Sequence, residues 1–355
     1  MPALARMLAA ALACLMAGQA AAQDQVARFY EGKTIEFFTT TPAGSGIDLL
    51  ARAVAMHMVN YIPGKPRFIV RNMPGGGGVL MARHLFTAAR RDGTEIGAAE
   101  GGLVLNPLLG INPGHLDMTR FGWLGSVSQD NGIAVVWSAS GVTSIEDAKR
   151  REVVVGATGA AGTTGQWAAL ANVTLGTKFK TVFGYPGPTE INIAMERGEV
   201  ESRLGTYTAI ATQRPEWLSQ GKAKIILQMG SSRIPELASV PVFDDLATSA
   251  EDRAMIGLVS ATFDITRPYM VSPDVPPERL AALRAAFDAA TRDPAFVAAA
   301  SKYANVVPST GDELARAVAK IYATPQAVVD RMMALNRTQE ELERLQKEER
   351  ARKGR

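Results

Sequence analysis

Glycine-rich turns recur three times along this chain, each after an apolar run and before an amphipathic one. They are the first turn (residues 40–48), the second turn (72–78) and the third turn (156–165). A strand that enters a helix through such a turn leaves backbone N–H groups aimed at one point, and the helix dipole adds about half a positive charge there. Such turns bind anions without a cationic side chain. They predict a protein that binds a carboxylated or phosphorylated molecule.

The candidate ligand-binding residues of these turns offer backbone amides, hydroxyl groups or close backbone approach. They are Thr41, Ala43, Gly44, Ser45, Gly46 and Asp48 in the first turn, Gly76 and Gly77 in the second, and Thr158, Gly159, Ala160, Gly162, Thr163 and Thr164 in the third. Asp48 would repel a carboxylate if it faced the ligand. We therefore expect its side chain to turn inward and to accept hydrogen bonds from the N–H groups of its own loop. The alternative interpretation is a turn that only connects a strand to a helix.

Three candidates lie outside the turns. Tyr185 can cover a ligand with its ring, or it can be a core residue, and Gly187 precedes the start of a helix. Arg203 follows a turn at 198–201 and can make a bidentate contact to a carboxylate. A solvated arginine, or one paired with a glutamate, is the alternative for Arg203.

The third turn also resembles a dinucleotide-binding fingerprint, because it follows Val153–Val155 and contains spaced glycines. Such a site needs an acidic residue about twenty positions further on to hold the ribose hydroxyls. No Asp or Glu occurs between Glu152 and Glu190. An NADP-type site that uses Lys178 or Lys180 stays open as the less favoured alternative.

Catalytic and metal-ligating patterns are weak. His57, His84 and His115 lie far apart, without the His-Glu-x-x-His spacing of a zinc site. Ser45 is flanked by glycine but lacks the strand–elbow pattern of a hydrolase nucleophile. We therefore expect no enzyme activity, no metal and no cofactor.

The first residues have the pattern of a secretory signal peptide. Arg6 is the only charge before Asp24, the apolar run at 7–17 is too short to span a bilayer, and the alanines at 20–22 suit a signal peptidase. We place the signal peptide at residues 1–22. An uncleaved membrane anchor and lipidation of Cys14, the only cysteine, are the alternatives.

Composition fits a soluble α/β protein after cleavage. Of 355 residues, 47% are hydrophobic, 21% are charged and 33 are glycines. Without Arg6, 37 basic residues (38 − 1) face 35 acidic ones, a net charge of +2. No dense basic stripe precedes the last twenty residues, so no nucleic-acid partner is predicted. No later segment is apolar enough to cross a membrane, which places the mature protein outside the membrane.

The order of patterns is that of a parallel sheet, with β-α-β-α-β over the first hundred mature residues and a second β-α series in the middle. Predicted strands at 34–41 and 67–72 lead into the first and second turns. Alanine-rich helices follow from residue 277 onward. The charged run at 337–355 predicts a solvated helix that frays into disorder.

These residues resemble the tripartite tricarboxylate transporter receptors, the Bug family of extracytoplasmic solute-binding proteins. The resemblance extends from Phe29 to the helices near Asp293. The markers are the sequences at 42–48, 72–78, 92–94, 184–187 and 198–201, whose order and spacing are more specific than any one of them. The chain departs from the family at Ala43–Gly46, where many members have Pro-Gly-Gly-Gly, and at Tyr185-Pro186-Gly187, where many have Tyr-Lys-Gly. Both departures put the identity of the ligand in doubt.

The resemblance implies an α/β fold of two lobes, the type II periplasmic-binding-protein or Venus-flytrap architecture, with a mixed, mostly parallel sheet in each lobe. Lobe 1 would comprise 24–127 plus 257–336, and lobe 2 would comprise 128–256. The implied function is a monomeric periplasmic receptor that binds a small organic acid between its lobes and delivers it to membrane permease subunits. A periplasmic sensor that presents its closed form to a signalling receptor needs the same fold and stays open.

Overall fold

The structure, a computed structural model, describes residues 24–75, 78–110, 116–160, 163–230 and 233–353, without the side chains of Thr163 and Lys353. The described residues divide into two compact units. The first unit consists of the described residues within Met1–Glu100, Pro113–Val127 and Arg267–Arg316. The second unit consists of those within Gly101–Asn112, Ser128–Thr266 and Ala317–Arg355. The predicted signal peptide at 1–22 lies outside the described residues.

Helices and strands alternate through both units. The helices are α1 (24–30), α2 (Gly46–Met58), α3 (Val79–Thr87), α4 (Leu105–Leu108), α5 (Ile145–Arg150), α6 (Thr163–Leu175), α7 (Pro188–Glu196), α8 (Tyr207–Gln213), α9 (Pro215–Ser219), α10 (Ala250–Ser260), α11 (Pro277–Arg292), α12 (Pro294–Ala300), α13 (Gly311–Tyr322) and α14 (Gln326–Lys353). The strands are β1 (Thr34–Thr39), β2 (Arg67–Asn72), β3 (Glu95–Ala98), β4 (Gly122–Ser128), β5 (Gly132–Trp137), β6 (Val153–Gly156), β7 (Phe179–Val182), β8 (Ser202–Thr206), β9 (Ala223–Met229), β10 (Pro268–Val271) and β11 (Val306–Thr310).

The sheet of the first unit has the strand order β11-β4-β10-β3-β1-β2. Strand β1 is parallel to β2 and β3, while β10 is antiparallel to both β3 and β4. Helix α2 covers this sheet because Leu50, Val54 and Met58 recur at the spacing of one helix face and are buried. They pack with Phe37 and Phe287 in one hydrophobic core.

The sheet of the second unit has the strand order β7-β6-β8-β5-β9. Strand β6 is parallel to β7 and β8, and β5 is antiparallel to β8 and β9. Each sheet therefore has most of its strands in one direction and at least one in the opposite direction. The predicted α/β class with mixed, mostly parallel sheets is confirmed.

The division into units differs from the predicted lobe boundaries in three segments. Residues 257–266 and 317–336, which were predicted in lobe 1, lie in the second unit, and so do residues 101–110. Helix α14 accounts for part of the difference, since it packs on α6 and α10 of the second unit. Val329 and Met332 of this helix are buried. The segment that the sequence predicted as a separate tail thus begins inside a packed helix.

Candidate functional site

The first and second turns leave the sheet at the same edge. Thr39, the last residue of β1, is the register partner of Asn72, the last residue of β2. The backbone N–H of Met73 then donates to the carbonyl oxygen of Thr39 at 2.8 Å. Because the carboxyl ends of parallel strands meet at one edge, the two loops are neighbours by topology. Gly76 and Gly77 of the second turn lie outside the described residues.

Asp48 is the centre of the first turn. Its side chain is 1% exposed and accepts hydrogen bonds from the Gly44 N–H at 2.8 Å and from Arg52 at 2.9 and 3.1 Å. Asn72 Nδ2 donates to the same carboxylate at 2.8 Å. The expected inward orientation of Asp48 is confirmed. The N–H of Gly44 is thereby used inside the loop.

The charge of Asp48 is stabilised where it is buried. Burial alone would raise the pKa of this carboxyl, but the hydrogen bonds from Arg52, Gly44 and Asn72 outweigh burial and hold the pKa below its usual range. Asp48 is therefore a compensated carboxylate, and it leaves the outer face of the turn without an uncompensated negative charge.

The start of helix α2 keeps open donors. Ser45 caps the helix, since its Oγ accepts from the Asp48 N–H at 3.2 Å and pairs with Thr41 Oγ1 at 2.6 Å. Among the described residues, no acceptor faces the N–H groups of Gly46 and Ile47, the first two of the helix. Ala43, Gly44 and Gly46 are exposed. Two open amides on an accessible helix start form an arrangement that binds anions.

The first turn also begins with a buried hydroxyl that lacks a partner within the described ranges. Thr40 Oγ1 is buried and has no hydrogen-bond partner among the described residues. Buried polar atoms almost always have a partner. A ligand or water at the first turn would supply one.

In the third turn, unlike at the start of α2, backbone N–H groups already have acceptors within the chain. Its Ala160 N–H donates to Glu343 Oε2 of helix α14 at 2.8 Å, and its Thr158 N–H donates to Thr164 Oγ1 at 3.4 Å. Gly159 lies beside the same glutamate, whose carboxylate oxygens would be 3.6 and 3.8 Å from a Cβ placed there. Gly162 lies outside the described residues, as does the side chain of Thr163. The Ala160 amide of this turn is thus used by a carboxylate of the chain itself. Whether the turn also binds a ligand stays a prediction.

Helix α14 also donates and accepts hydrogen bonds at the end of strand β7 and in the loop after it. Gln346 accepts from the Phe183 N–H at 3.1 Å and donates to the Thr181 carbonyl at 2.7 Å, and Arg350 donates to the Phe183 carbonyl. Residues 337–353 are helical, as predicted, and these contacts attach that part of the helix to the second unit. The sequence analysis did not predict roles for Glu343, Gln346 and Arg350. Their spacing, which places them on one face of a helix, was the available signal.

Tyr185 and Gly187 lie at the same edge of the second sheet. The Tyr185 N–H donates to the Ala157 carbonyl at 3.3 Å, and its half-buried ring packs against the second unit's core cluster. Burial is the main cause that raises the pKa of its hydroxyl. Gly187 is the N-cap of α7. Whether either residue touches a ligand stays a prediction.

Arg203 differs from both of its alternative interpretations. It is 2% exposed, so it is not solvated, and no carboxylate of the described residues pairs with it. Its Nη1 donates to Asn192 Oδ1 at 2.6 Å and to the Pro188 carbonyl at 3.3 Å, while Nε has no partner. Burial lowers the pKa of the guanidinium to about 10. Gly205 gives it space, since a Cβ there would lie 2.4 Å from Nη2.

The lysines of the dinucleotide alternative are engaged elsewhere. Lys178 Nζ donates to the Arg150 carbonyl at 3.1 Å, and Lys180 Nζ pairs with Glu152 at 3.0 Å. Glu152 precedes β6, whereas the third turn follows it. The two cations are thus held near the strand end opposite to the turn, where they cannot meet a phosphate bound at its amides.

Metal sites and membrane-spanning helices are absent from the described residues. They contain no group of three or more His, Cys, Asp or Glu side chains arranged to hold a metal ion. Of the helices in the described ranges, none is both long and apolar enough to cross a bilayer.

Solved structures share this fold. A TctC solute binding protein from Polaromonas matches with a TM-score of 0.66 and 21% identity, over 85% of this chain and 99% of its own. The periplasmic binding protein BugD matches with a TM-score of 0.60 and 19% identity, over 87% of this chain and 98% of its own. MatC from Rhodopseudomonas palustris with bound malate matches with a TM-score of 0.60 and 17% identity, over 86% of this chain and 99% of its own. No protein-family model and no curated protein sequence matches the chain.

At these identities the likeness establishes the fold. The predicted periplasmic-binding-protein-like architecture is confirmed, and the resemblance to the tripartite tricarboxylate transporter receptors is confirmed at that level. The ligand, the transporter partner and the roles of individual residues stay predictions.

Proposed function

We propose that the chain is a non-catalytic periplasmic receptor, of the tripartite tricarboxylate transporter type, that binds a small organic acid and delivers it to membrane permease subunits. The observation that carries the proposal is the start of α2. Its turn leaves the N–H groups of Gly46 and Ile47 without a partner among the described residues, while the neighbouring Asp48 is compensated by Gly44, Arg52 and Asn72. A carboxylate is the group that such a site takes most readily.

The compared structures support the same ligand class. MatC, of the same fold, is described with bound malate. In the present chain the acid's carboxylate would accept from the N–H groups of Gly46 and Ile47, with Thr41, Ser45 and the orphaned Thr40 hydroxyl as further partners. Within the second unit, the third turn, Tyr185 and Gly187 remain predicted ligand-binding residues.

Ser45→Glu tests the site. A carboxylate at this position would repel an acid bound at the helix start, and we expect calorimetric affinity to fall by more than about tenfold. Ser45→Gln is the matched control, because it loses the same cap without adding charge. Equal losses in both variants would argue against the site.

The ligand itself can be identified by mass spectrometry of small molecules released from the purified, denatured protein. A thermal-shift screen of organic acids complements it, since stabilisation scales with ligand concentration over the dissociation constant. An uptake assay in a deletion strain, set against induction of the target genes, separates the transport receptor from the sensor.

A further inference from the structure

Arg203 is a buried cation without a counterion among the described residues. It lies on β8, the central strand of the second unit's sheet, and is 2% exposed. Burial lowers the pKa of its guanidinium to about 10, so the group keeps its positive charge at neutral pH. Glu190, in the first turn of the neighbouring helix α7, is exposed and does not pair with it. A buried charge is costly unless an opposite charge lies beside it.

One edge of this guanidinium is unused. Both of its hydrogen bonds within the described residues come from Nη1, which donates to the Pro188 carbonyl and to Asn192 Oδ1. Nε is buried and has no partner there. The Nε–Nη2 edge is one of those with which an arginine binds a carboxylate through two parallel hydrogen bonds. The edge suited to a planar oxyanion is therefore the one left over.

Asn192 adds a further open donor to the same cluster. Its side chain is fully buried, and its Nδ2 has no partner among the described residues. Exchanging the amide oxygen and nitrogen would not satisfy it, because Nδ2 would then face the Nη1 donor of Arg203. The unused groups of this cluster are donors, and buried donors require an acceptor.

Gly205 leaves space at the unused edge. It follows Arg203 by two positions on β8, so both residues lie on one face of the strand. A Cβ on Gly205 would lie 2.4 Å from Nη2 and 3.3 Å from Nε. The φ angle of Gly205 is outside the left-handed region, so its backbone conformation does not require glycine. The space beside the guanidinium does.

We propose that the second unit contains a buried oxyanion site, in which the Nε–Nη2 edge of Arg203 and Nδ2 of Asn192 donate to a small planar monoanion. The group that fits is a carboxylate, either free, as in formate, or at the end of a longer acid. A carboxylate supplies the missing negative charge and several acceptor positions, whereas a water molecule supplies no charge. The site goes beyond the proposed function, since it uses residues of the second unit only.

The test replaces chloride by formate, or by hexanoate, at constant ionic strength and follows the midpoint of thermal unfolding. Because the site is buried, each sample is refolded from urea in the salt under test. Ser45→Glu is the background for every measurement, so that acids bound at the start of α2 contribute little. Within this background the site is altered by Arg203→Met. Arg197→Met is the control, because Arg197 ends the same helix α7 and its side chain is 70% exposed.

We expect formate to raise the unfolding midpoint above its value in chloride, by an amount that grows with formate concentration. Arg203→Met should raise the apparent dissociation constant of formate at least about tenfold, since it removes the charged donor. Arg197→Met should leave this constant unchanged. Asn192→Asp places a carboxylate in the cluster from within, so it should raise the midpoint in chloride and abolish the response to formate.

Each outcome decides the inference. A rise with hexanoate as well as formate supports the site and makes the end of a longer acid its source, whereas a rise with formate alone supports it with a free ion. Equal midpoints in formate and chloride overturn the site, as does a formate response that survives Arg203→Met. If Arg203→Met does not refold, an undiminished response in Asn192→Asp overturns it.

These failures are separate from a failure of the proposed function. That function is tested by the acid affinities of Ser45→Glu and Ser45→Gln, which probe the first unit. Loss of the Arg203 site leaves that comparison unchanged.

Discussion

The backbone N–H of Ala160 donates to Glu343 Oε2 at 2.8 Å across 183 positions of sequence. One residue lies in a glycine-rich turn and the other on the last turns of a charged C-terminal helix. Their contact is one of several that hold this helix on the second unit, and it pairs an amide of the turn with a carboxylate of the chain itself. The first turn, in which Asp48 points inward, leaves its amides at Gly46 and Ile47 open.

Gln346→Ala should destabilise the second unit. Strand β7 is an edge strand, and Gln346 satisfies both the Thr181 carbonyl and the Phe183 N–H next to it. Loss of these bonds should lower the free energy of unfolding by about 1–3 kcal/mol, measured by urea denaturation. Glu340→Ala, on an exposed position of α14, is the control. A loss no larger than that of the control would show that the helix does not support the strand.

The stability lost in Asp48→Asn, relative to wild type, should depend on pH. The folded pKa of Asp48 is lowered relative to an unfolded value of about 3.9. Its contribution is therefore complete above the unfolded value and is lost as pH falls through the folded value. We expect the variant to be less stable than wild type by about 1–3 kcal/mol near neutral pH, with the difference shrinking below about pH 4.

Chemical denaturation across this pH range measures the effect. Asp24→Asn is a suitable control, since Asp24 is exposed and makes no ion pair within the described residues. A stability difference between Asp48→Asn and wild type that stays constant down to the acid limit would contradict the role given to the Asp48 charge.

Arg203 and Asn192 form a partly satisfied buried pair. Arg203 Nε and Asn192 Nδ2 both lack partners among the described residues. Arg203→Met alone would leave Asn192 Oδ1 without its donor and should cost about 1–3 kcal/mol. The double variant Arg203→Met, Asn192→Leu removes the whole network and should be at least as stable as wild type, because apolar packing often replaces buried charge without loss. Thermal and urea unfolding of both variants measure this.

A double variant less stable than Arg203→Met would mean that the guanidinium stabilises the ligand-free fold. Since Arg203 is also a candidate ligand contact, acid affinity is measured alongside. Loss of affinity in a more stable double variant would favour a ligand carboxylate as the missing partner of Nε.

Local chemistry made much of the fold predictable. Strand β2 was predicted at 67–72 and has those bounds, because apolar residues there lie between a Pro-Gly break and a glycine-rich turn. Ser144 caps helix α5 and forms a capping box with Asp147, which is a local pattern of the kind a sequence shows. Strand β8, which contains Arg203 and Gly205, was not predicted, since Ser202–Thr206 lacks an apolar run.

The sequence by itself determined where strands meet helices and which turns can present amides, because glycine, capping residues and apolar spacing act within a few positions. The inward turn of Asp48 was also expected from the sequence, but only the tertiary structure decided which amides a remote residue takes. Asp48, which is local, took the N–H of Gly44, and Glu343, which is remote, took that of Ala160. The charged run after residue 337 appears solvated by composition. It is docked because hydrogen bonds to the backbone of an edge strand, which need no apolar stripe, hold it there.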